Sequence, residues 1–271
     1  MINIELIKKA KKIGFIKVEN FLSFEEVEDL KKKISTFISP KGNYLGYFSP
    51  NFKSKLIKIF KFQFKKFLVS NYLTNLAIKK KMRNFANLYF KNDSYLKMID
   101  CYYTPISNEN ILPWHNDLAF SKDSKENFEN HKNFTDPKTV SLKFFIYLTK
   151  VGPNNGCTSF IPKSHIIIKF LSQLIYQKKI SYKPYWDLKN LRLFLKDEIV
   201  QNCFLTHFGN LDLLLEFLDE TKFIEQNLSG DKFDFSMNPG DAIIFDEAGI
   251  HKGSKTTLND RLVLRYHYSL K

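Results

Sequence analysis

Residues 111–120, ILPWHNDLAF, set an imidazole and a carboxylate two positions apart, His115 and Asp117, inside an apolar run. If the run is a strand, positions i and i+2 share a face and the two side chains converge. A second histidine, His251, follows the turn-plus-strand pattern NPGDAIIFDEAGI and precedes KGS, which places it at a strand end beside a loop. Two histidines and one carboxylate are the donor set of a facial metal triad, a site that suits Fe(II) and leaves coordination positions open. The His-x-Asp spacing alone carries little weight, because a loop histidine hydrogen-bonded to a neighbouring carboxylate produces the same pattern. His251 is what shifts the balance.

Ten residues past His251, Arg261 opens RLVLRYHY, a stretch of alternating strand character. Lysine dominates the basic residues, and only Arg83, Arg192, Arg261 and Arg265 are arginine. A 2-oxoglutarate that chelates iron through its oxo-acid end leaves a distal carboxylate in need of a partner. A guanidinium supplies a planar, bidentate one; an ammonium does not. Arg261 is the candidate anchor and Arg265, on the same strand face, the fallback; the competing reading of Arg261 is a surface strand residue. Lys143 is the single charge in TVSLKFFIYLT and shares its face with Phe145 and Tyr147. Facing inward it would require an anion, from oxoglutarate or a substrate carboxylate; facing outward it would be a solvated lysine. Tyr103, at the end of the preceding strand, offers a hydroxyl to oxoglutarate or else fills the core. His131, His165, His207 and His267 read as structural or surface residues.

These candidates need elements to hold them. GFIKV (14–18) predicts a short strand, and Ser23 with Glu26 three residues on predicts a helix start with a capping box. Apolar spacing over about 54–90 predicts two helices. From about residue 95 the pattern changes to short aromatic or β-branched runs, among them YLKMIDCYYT, TVSLKFFIYLT and CTSFIP, separated by turn clusters. GPNNG predicts a hairpin turn with Asn155-Gly156 at its tip. Residues from 166 to about 230 turn helical, and strands resume with a tight turn at Pro239-Gly240-Asp241. The layout predicts a mainly-β fold with flanking helices, an antiparallel barrel or jelly roll with one long helical excursion, in a single domain over 1–271.

The chain has 271 residues, 27 of them Phe and 13 Tyr, with a formal charge of +14. Its lysines are scattered, and runs such as IKKAKK and IKKKMR fall on helices as solvated faces, so specific nucleic-acid binding is disfavoured. Cys101, Cys157 and Cys203 lack metal or redox spacing, which favours a reducing interior. MINIELIKKA lacks the apolar core of a signal peptide, and no apolar run approaches the roughly 18 residues of a membrane span. The expectation is a soluble cytoplasmic protein.

At the level of whole segments the sequence resembles the phytanoyl-CoA dioxygenase-like Fe(II)/2-oxoglutarate oxygenases. GFIKVENFLSFEEVEDLKKKI is similar to the family's first strand and helix, and LPWHNDLAF to its Trp-His-x-Asp strand. VSLKFFIYLTKVGPNNGCTSFIPKSH resembles the stretch ending in Pro-Gly-Ser-His, and NPGDAIIFDEAGIHKGS with NDRLVLRYHY resembles the distal His and Arg segments. The resemblance implies a double-stranded β-helix (jelly roll, cupin-like) core with N-terminal helices and a helical insertion at about 166–230. It implies Fe(II) held by His115, Asp117 and His251, and 2-oxoglutarate anchored by Arg261; Lys143 and Tyr103 remain cofactor candidates on their residue chemistry alone. The implied reaction hydroxylates a C–H bond of a small or lipid-like molecule, anionic in keeping with the basic charge, and releases succinate and CO2. Two departures stand out: Lys163 occupies the glycine of the Pro-Gly-Ser-His turn, and the insertion after His165 is long. Two rivals remain from the residues alone: a metal-dependent jelly-roll hydrolase or isomerase without oxoglutarate, and a non-catalytic basic nucleic-acid-binding protein.

Overall fold

The computed structural model describes residues 4–37, 46–48, 61–119 and 141–271. Alternation along its central strands decides the layering. In β5 (Ser141–Tyr147), β7 (Ala242–Asp246) and β9 (Arg261–Leu270), nearly every residue is buried, so both faces of the sheet are covered. Phe145, Tyr147, Ile243, Phe245 and Val263 point to one side, where they meet Cys157 and Phe160. Phe144, Ile146, Ile244, Leu264 and Tyr266 point to the other, against the N-terminal helices. Those helices are α1 (Ile4–Ile13), α2 (Phe24–Ile34), α3 (Lys61–Lys79) and α4 (Met82–Phe90).

The larger sheet has six strands in the order β1-β7-β5-β9-β3-β2, with β1 at Phe15–Val18, β2 at Gly46–Phe48 and β3 at Ser94–Thr104. The smaller is β4 (Leu112–His115), β8 (His251–Gly253) and β6 (Thr158–Phe160), in the order β4-β8-β6. All pairings between these strands are antiparallel. The fold is mainly antiparallel β with flanking helices, as the alternation predicts, but the two sheets do not close into a barrel. Between β6 and β7 lie four helices, α5 (Ser164–Tyr176), α6 (Leu188–Leu195), α7 (Glu198–Phe208) and α8 (Asp212–Glu220). Their apolar faces pack together with Trp114 and Ile250 of the small-sheet region.

Local chemistry explains several boundaries. Ser23 Oγ accepts from the Glu26 N–H at 3.2 Å and Glu26 returns a carboxylate oxygen to the Ser23 N–H at 3.0 Å, the reciprocal cap that starts α2. Residues 54–60 of the stretch read as two helices lie outside the described residues; the rest forms α3 and α4. GPNNG corrects its expectation. Gly152 and Asn155 exchange backbone hydrogen bonds, at 3.1 and 2.8 Å, so Pro153-Asn154 form the tip. The strands on either side, β5 and β6, belong to different sheets. The tight turn is present with its tip two residues earlier than expected, and it links two sheets without pairing β5 to β6. Lys163 takes the left-handed conformation that a glycine would favour, φ +65°, at the N-cap of α5.

The predicted turn at Pro239-Gly240-Asp241 is present, closed by Asp241 N–H to the Asn238 carbonyl at 3.0 Å. Gly240 sits at φ +96°, and a Cβ there would lie 2.5 Å from the Leu22 carbonyl oxygen. Strain and overlap act together at this position. Gly240→Ala is expected to cost about 1–3 kcal/mol in urea unfolding; unchanged stability would show that the turn is not held as described.

Candidate metal centre

Backbone pairing brings the two histidines together. In the β4–β8 ladder His115 is the direct partner of His251, and their ring centroids lie 4.4 Å apart. Asp117 arrives differently. β4 ends at His115, so the strand alternation expected to align the pair stops short of the carboxylate. Two backbone bonds steer the chain instead: Asn116 N–H to the Trp186 carbonyl and Asp117 N–H to the Glu247 carbonyl, each 3.0 Å. Ligand atoms of His115, Asp117 and His251 then all lie within 4.8 Å of one another, a spacing that suits a single metal ion.

The histidines are prepared as ligands. His115 Nδ1 lies 2.6 Å from the Pro113 carbonyl and His251 Nδ1 2.9 Å from that of Gly249. A carbonyl only accepts, so each Nδ1 carries the proton and each Nε2 presents its lone pair. Both Nε2 atoms face the same carboxylate, His251 at 3.3 Å and His115 at 3.7 Å from Asp117. Burial, with His251 beside it, lowers the His115 pKa to about 4, so this ring is neutral at pH 7 and loses no proton to a metal.

Lys143 faces inward, and its anion comes from the protein. Its ammonium donates to Asp117 Oδ2 at 2.6 Å and lies 3.7 Å from Glu247. Burial alone would raise the Asp117 pKa, but Lys143 and then the histidines hold it well below the usual carboxylate range. Glu247 shifts the opposite way, raised by burial against the pull of Lys143. The sequence reading overlooked Glu247, although its place in FDEAGIH, four residues before the distal histidine, brings it beside the site. The anion that Lys143 meets in this structure is Asp117, inside the same cavity as Arg261.

The two arginines separate clearly. Arg265 makes a bidentate pair with the buried Asp100 of β3, at 2.5 and 2.7 Å, and lies over the Tyr102 and Phe145 rings. Arg261 is 4 % exposed, its guanidinium lies 3.5 Å from Thr158 Oγ1 and interacts with the Tyr147 side chain, and its Nε has no hydrogen-bond partner. No carboxylate among the described residues pairs with it. Gly156 leaves room for this side chain, since a Cβ there would come within 2.9 Å of Arg261 Cδ. A cavity of about 90 Å³ joins the three metal-facing residues to Arg261 and Thr158. Tyr103 does not enter it: its hydroxyl donates to Asp260 at 2.6 Å, and Tyr102, on the opposite strand face, lines the cavity.

The remaining histidines are apart from the ligand set. His165 contacts the Lys11 carbonyl through Nε2 at 2.9 Å, and His207 stacks on Phe170. His267 is buried opposite Lys143 in the β5–β9 ladder; His131 lies outside the described residues.

The fold and site define a metal-binding antiparallel-sheet protein with an adjoining cationic pocket. The family model described as phytanoyl-CoA dioxygenase matches residues 10–262, and the chain belongs to that family. Among solved structures, iron-bound HygX from Streptomyces hygroscopicus is similar over 100% of this chain and 88% of its own, at 13% identity and a TM-score of 0.58. The epimerase SnoN, in complex with Fe3+, alpha ketoglutarate and nogalamycin RO, is similar over 98% of this chain and 82% of its own, at 12% identity and a TM-score of 0.54. SnoK, a carbocyclase from nogalamycin biosynthesis, aligns over 99% and 84%, at 12% identity and a TM-score of 0.54. At these identities the likeness concerns the fold. No curated protein matches the chain in sequence.

The depressed His115 pKa links folding to pH. The folded state resists protonation that the unfolded chain accepts below 6.5, so stability present above pH 6.5 is lost as pH falls toward about 4. For His115 the loss amounts to about 3 kcal/mol. Metal-free protein should therefore weaken across this window in urea titrations. His115→Asn should show a shallower slope; equal slopes would contradict a buried, neutral His115.

Proposed function

We propose that this protein is an Fe(II)- and 2-oxoglutarate-dependent dioxygenase that hydroxylates a C–H bond of a small molecule and releases succinate and CO2. The supporting observation is one cavity that joins a His-Asp-His donor set to a buried guanidinium without a carboxylate partner. Burying a cation unpaired is costly. The carboxylate of an oxo acid would answer Arg261 in the way Asp100 already answers Arg265, which supports Arg261 over Arg265 as the anchor.

Iron with bound 2-oxoglutarate would supply the oxidising chemistry, with dioxygen as the oxidant giving one atom to succinate as the oxo acid loses CO2 and the other to the substrate's C–H bond. His115 and His251 would bind the metal through Nε2 and Asp117 through a carboxylate oxygen, while Lys143 orients the other oxygen and keeps the group ionised. Arg261 would hold the distal carboxylate of the oxo acid, with the Thr158 hydroxyl beside it. Phe145, Ile111 and Leu112 line the cavity and limit water around the reacting atoms. The carboxylate at 117 argues against halogenation, which requires that ligand position for a halide.

For the substrate, a small organic molecule is supported by HygX, whose structure holds hygromycin B, and by SnoN, whose structure holds nogalamycin RO. The +14 charge favours an anionic one. No helix of the described residues is long and apolar enough to cross a membrane. Absence of disulfide-type cysteine spacing in the sequence supports a cytoplasmic setting.

Anaerobic addition of Fe(II) and then 2-oxoglutarate should produce a visible charge-transfer band, and a well-folded protein without that band would exclude the proposal. Arg261→Ala should weaken oxoglutarate binding by about 2–5 kcal/mol, roughly thirty- to several-thousand-fold. Metal binding should survive in that variant. Full oxoglutarate affinity there would remove Arg261 from the anchor role, and intact metal binding with intact activity would instead favour the hydrolase or isomerase reading.

A further inference from the structure

The residue between the two proposed ligands is tied into the helical insertion. Asn116 is wholly buried. Its Nδ2 donates to the Tyr185 carbonyl at 2.9 Å and the Trp186 carbonyl at 3.2 Å, and its Oδ1 accepts from the Ala119 N–H at 2.8 Å. Its backbone N–H also donates to the Trp186 carbonyl, at 3.0 Å. Both amide protons and the amide oxygen are therefore used, each on a backbone group. An aspartate would set a carboxylate against two carbonyl oxygens, and a leucine would leave three backbone groups without this partner.

The same segment covers the edge of β4. In the small sheet β8 occupies one side of β4, and His115 forms an isolated antiparallel bridge with Asp187. Asp187 then caps α6, accepting from the Asn190 N–H at 2.9 Å. Between these anchors the Trp186 ring lies 5.6 Å from that of His115, at 39°. On the opposite face of the strand Trp114 packs on Phe223 and Phe233. The strand end that carries His115 is thus held by the insertion through both side-chain directions and through its backbone.

We infer that Asn116 is a positioning residue: its carboxamide fastens the 185–187 segment to the ligand strand and seats Trp186 against His115, so metal affinity depends on the insertion. The inference rests on reading His115, Asp117 and His251 as metal ligands. It gives the insertion a role in the metal centre itself, since any displacement of residues 185–187 acts on the residue joining two ligands. A substrate that shifts this segment on binding would change the setting of His115 directly.

Co(II) titration of the metal-free protein tests this through the visible Co(II) spectrum and indole fluorescence, with circular dichroism as the check on folding. Trp114 and Trp186 are the chain's two tryptophans. Wild-type protein should bind Co(II) and show quenching. Asn116→Ala should lose at least about tenfold in Co(II) affinity, the usual scale for an outer-shell partner, with an altered Co(II) spectrum. Trp186→Ala should lose affinity as well, whereas Trp186→Phe should restore it and lose only the Trp186 share of the quenching. A folded Asn116→Ala protein with wild-type affinity and spectrum overturns the inference. If that variant does not fold, wild-type affinity in Trp186→Ala overturns it. Wild-type protein that binds no Co(II) overturns the ligand reading instead, a separate outcome.

Discussion

The pairing of His115 with His251 across β4 and β8 is the contact on which the rest of the site depends. It joins segments far apart in sequence and sets two imidazoles side by side with both Nδ1 atoms already committed to carbonyls. Those local bonds fix the tautomers, and the tautomers aim both Nε2 atoms at Asp117. β4 and β8 are short strands with little ladder of their own. Their alignment relies on what packs around them: the Phe160 and Phe245 rings against His251, and the Tyr185–Asp187 segment along the free edge of β4.

Charge organises the cavity around that contact. Arg265 is matched by Asp100, and Lys143 by Asp117 and Glu247, whereas Arg261 has no such match among the described residues. A buried cation is stable where an anion answers it, which is the ground for giving Arg261 the proposed oxo-acid contact. This asymmetry separates two arginines that alternation alone places on the same strand face. Lys143 also explains how Asp117 stays ionised at a position where burial opposes charge.

Family membership and the folds of HygX, SnoN and SnoK agree on the architecture, while the sequence identities of 12–13% leave the substrate-facing surfaces to each protein. The helical insertion packs beside the small sheet. Because it is pinned at Asn116 and packs on Trp114, it is mechanically continuous with the small sheet. The same segment therefore bears on the strand end that carries His115.

Much of this was legible in the sequence, for physical reasons that are local. The capping box at Ser23 and Glu26, the turn at Pro239-Gly240-Asp241, and the alternation of β5, β7 and β9 follow from hydrogen-bonding capacity, backbone freedom and side-chain periodicity. The His-x-Asp, His and Arg segments were legible as a donor set because residue type and order limit the chemistry available. Tertiary structure alone decided which side chains meet. It turned Asp117 toward the histidines beyond the end of its strand, paired Arg265 with Asp100 and left Arg261 open. It also gave Lys143 to Asp117, sent Tyr103 to Asp260, and moved the tip of the GPNNG turn to Pro153-Asn154 between two sheets. Such contacts depend on which distant segments share a cavity, and periodicity records only the face on which a residue stands.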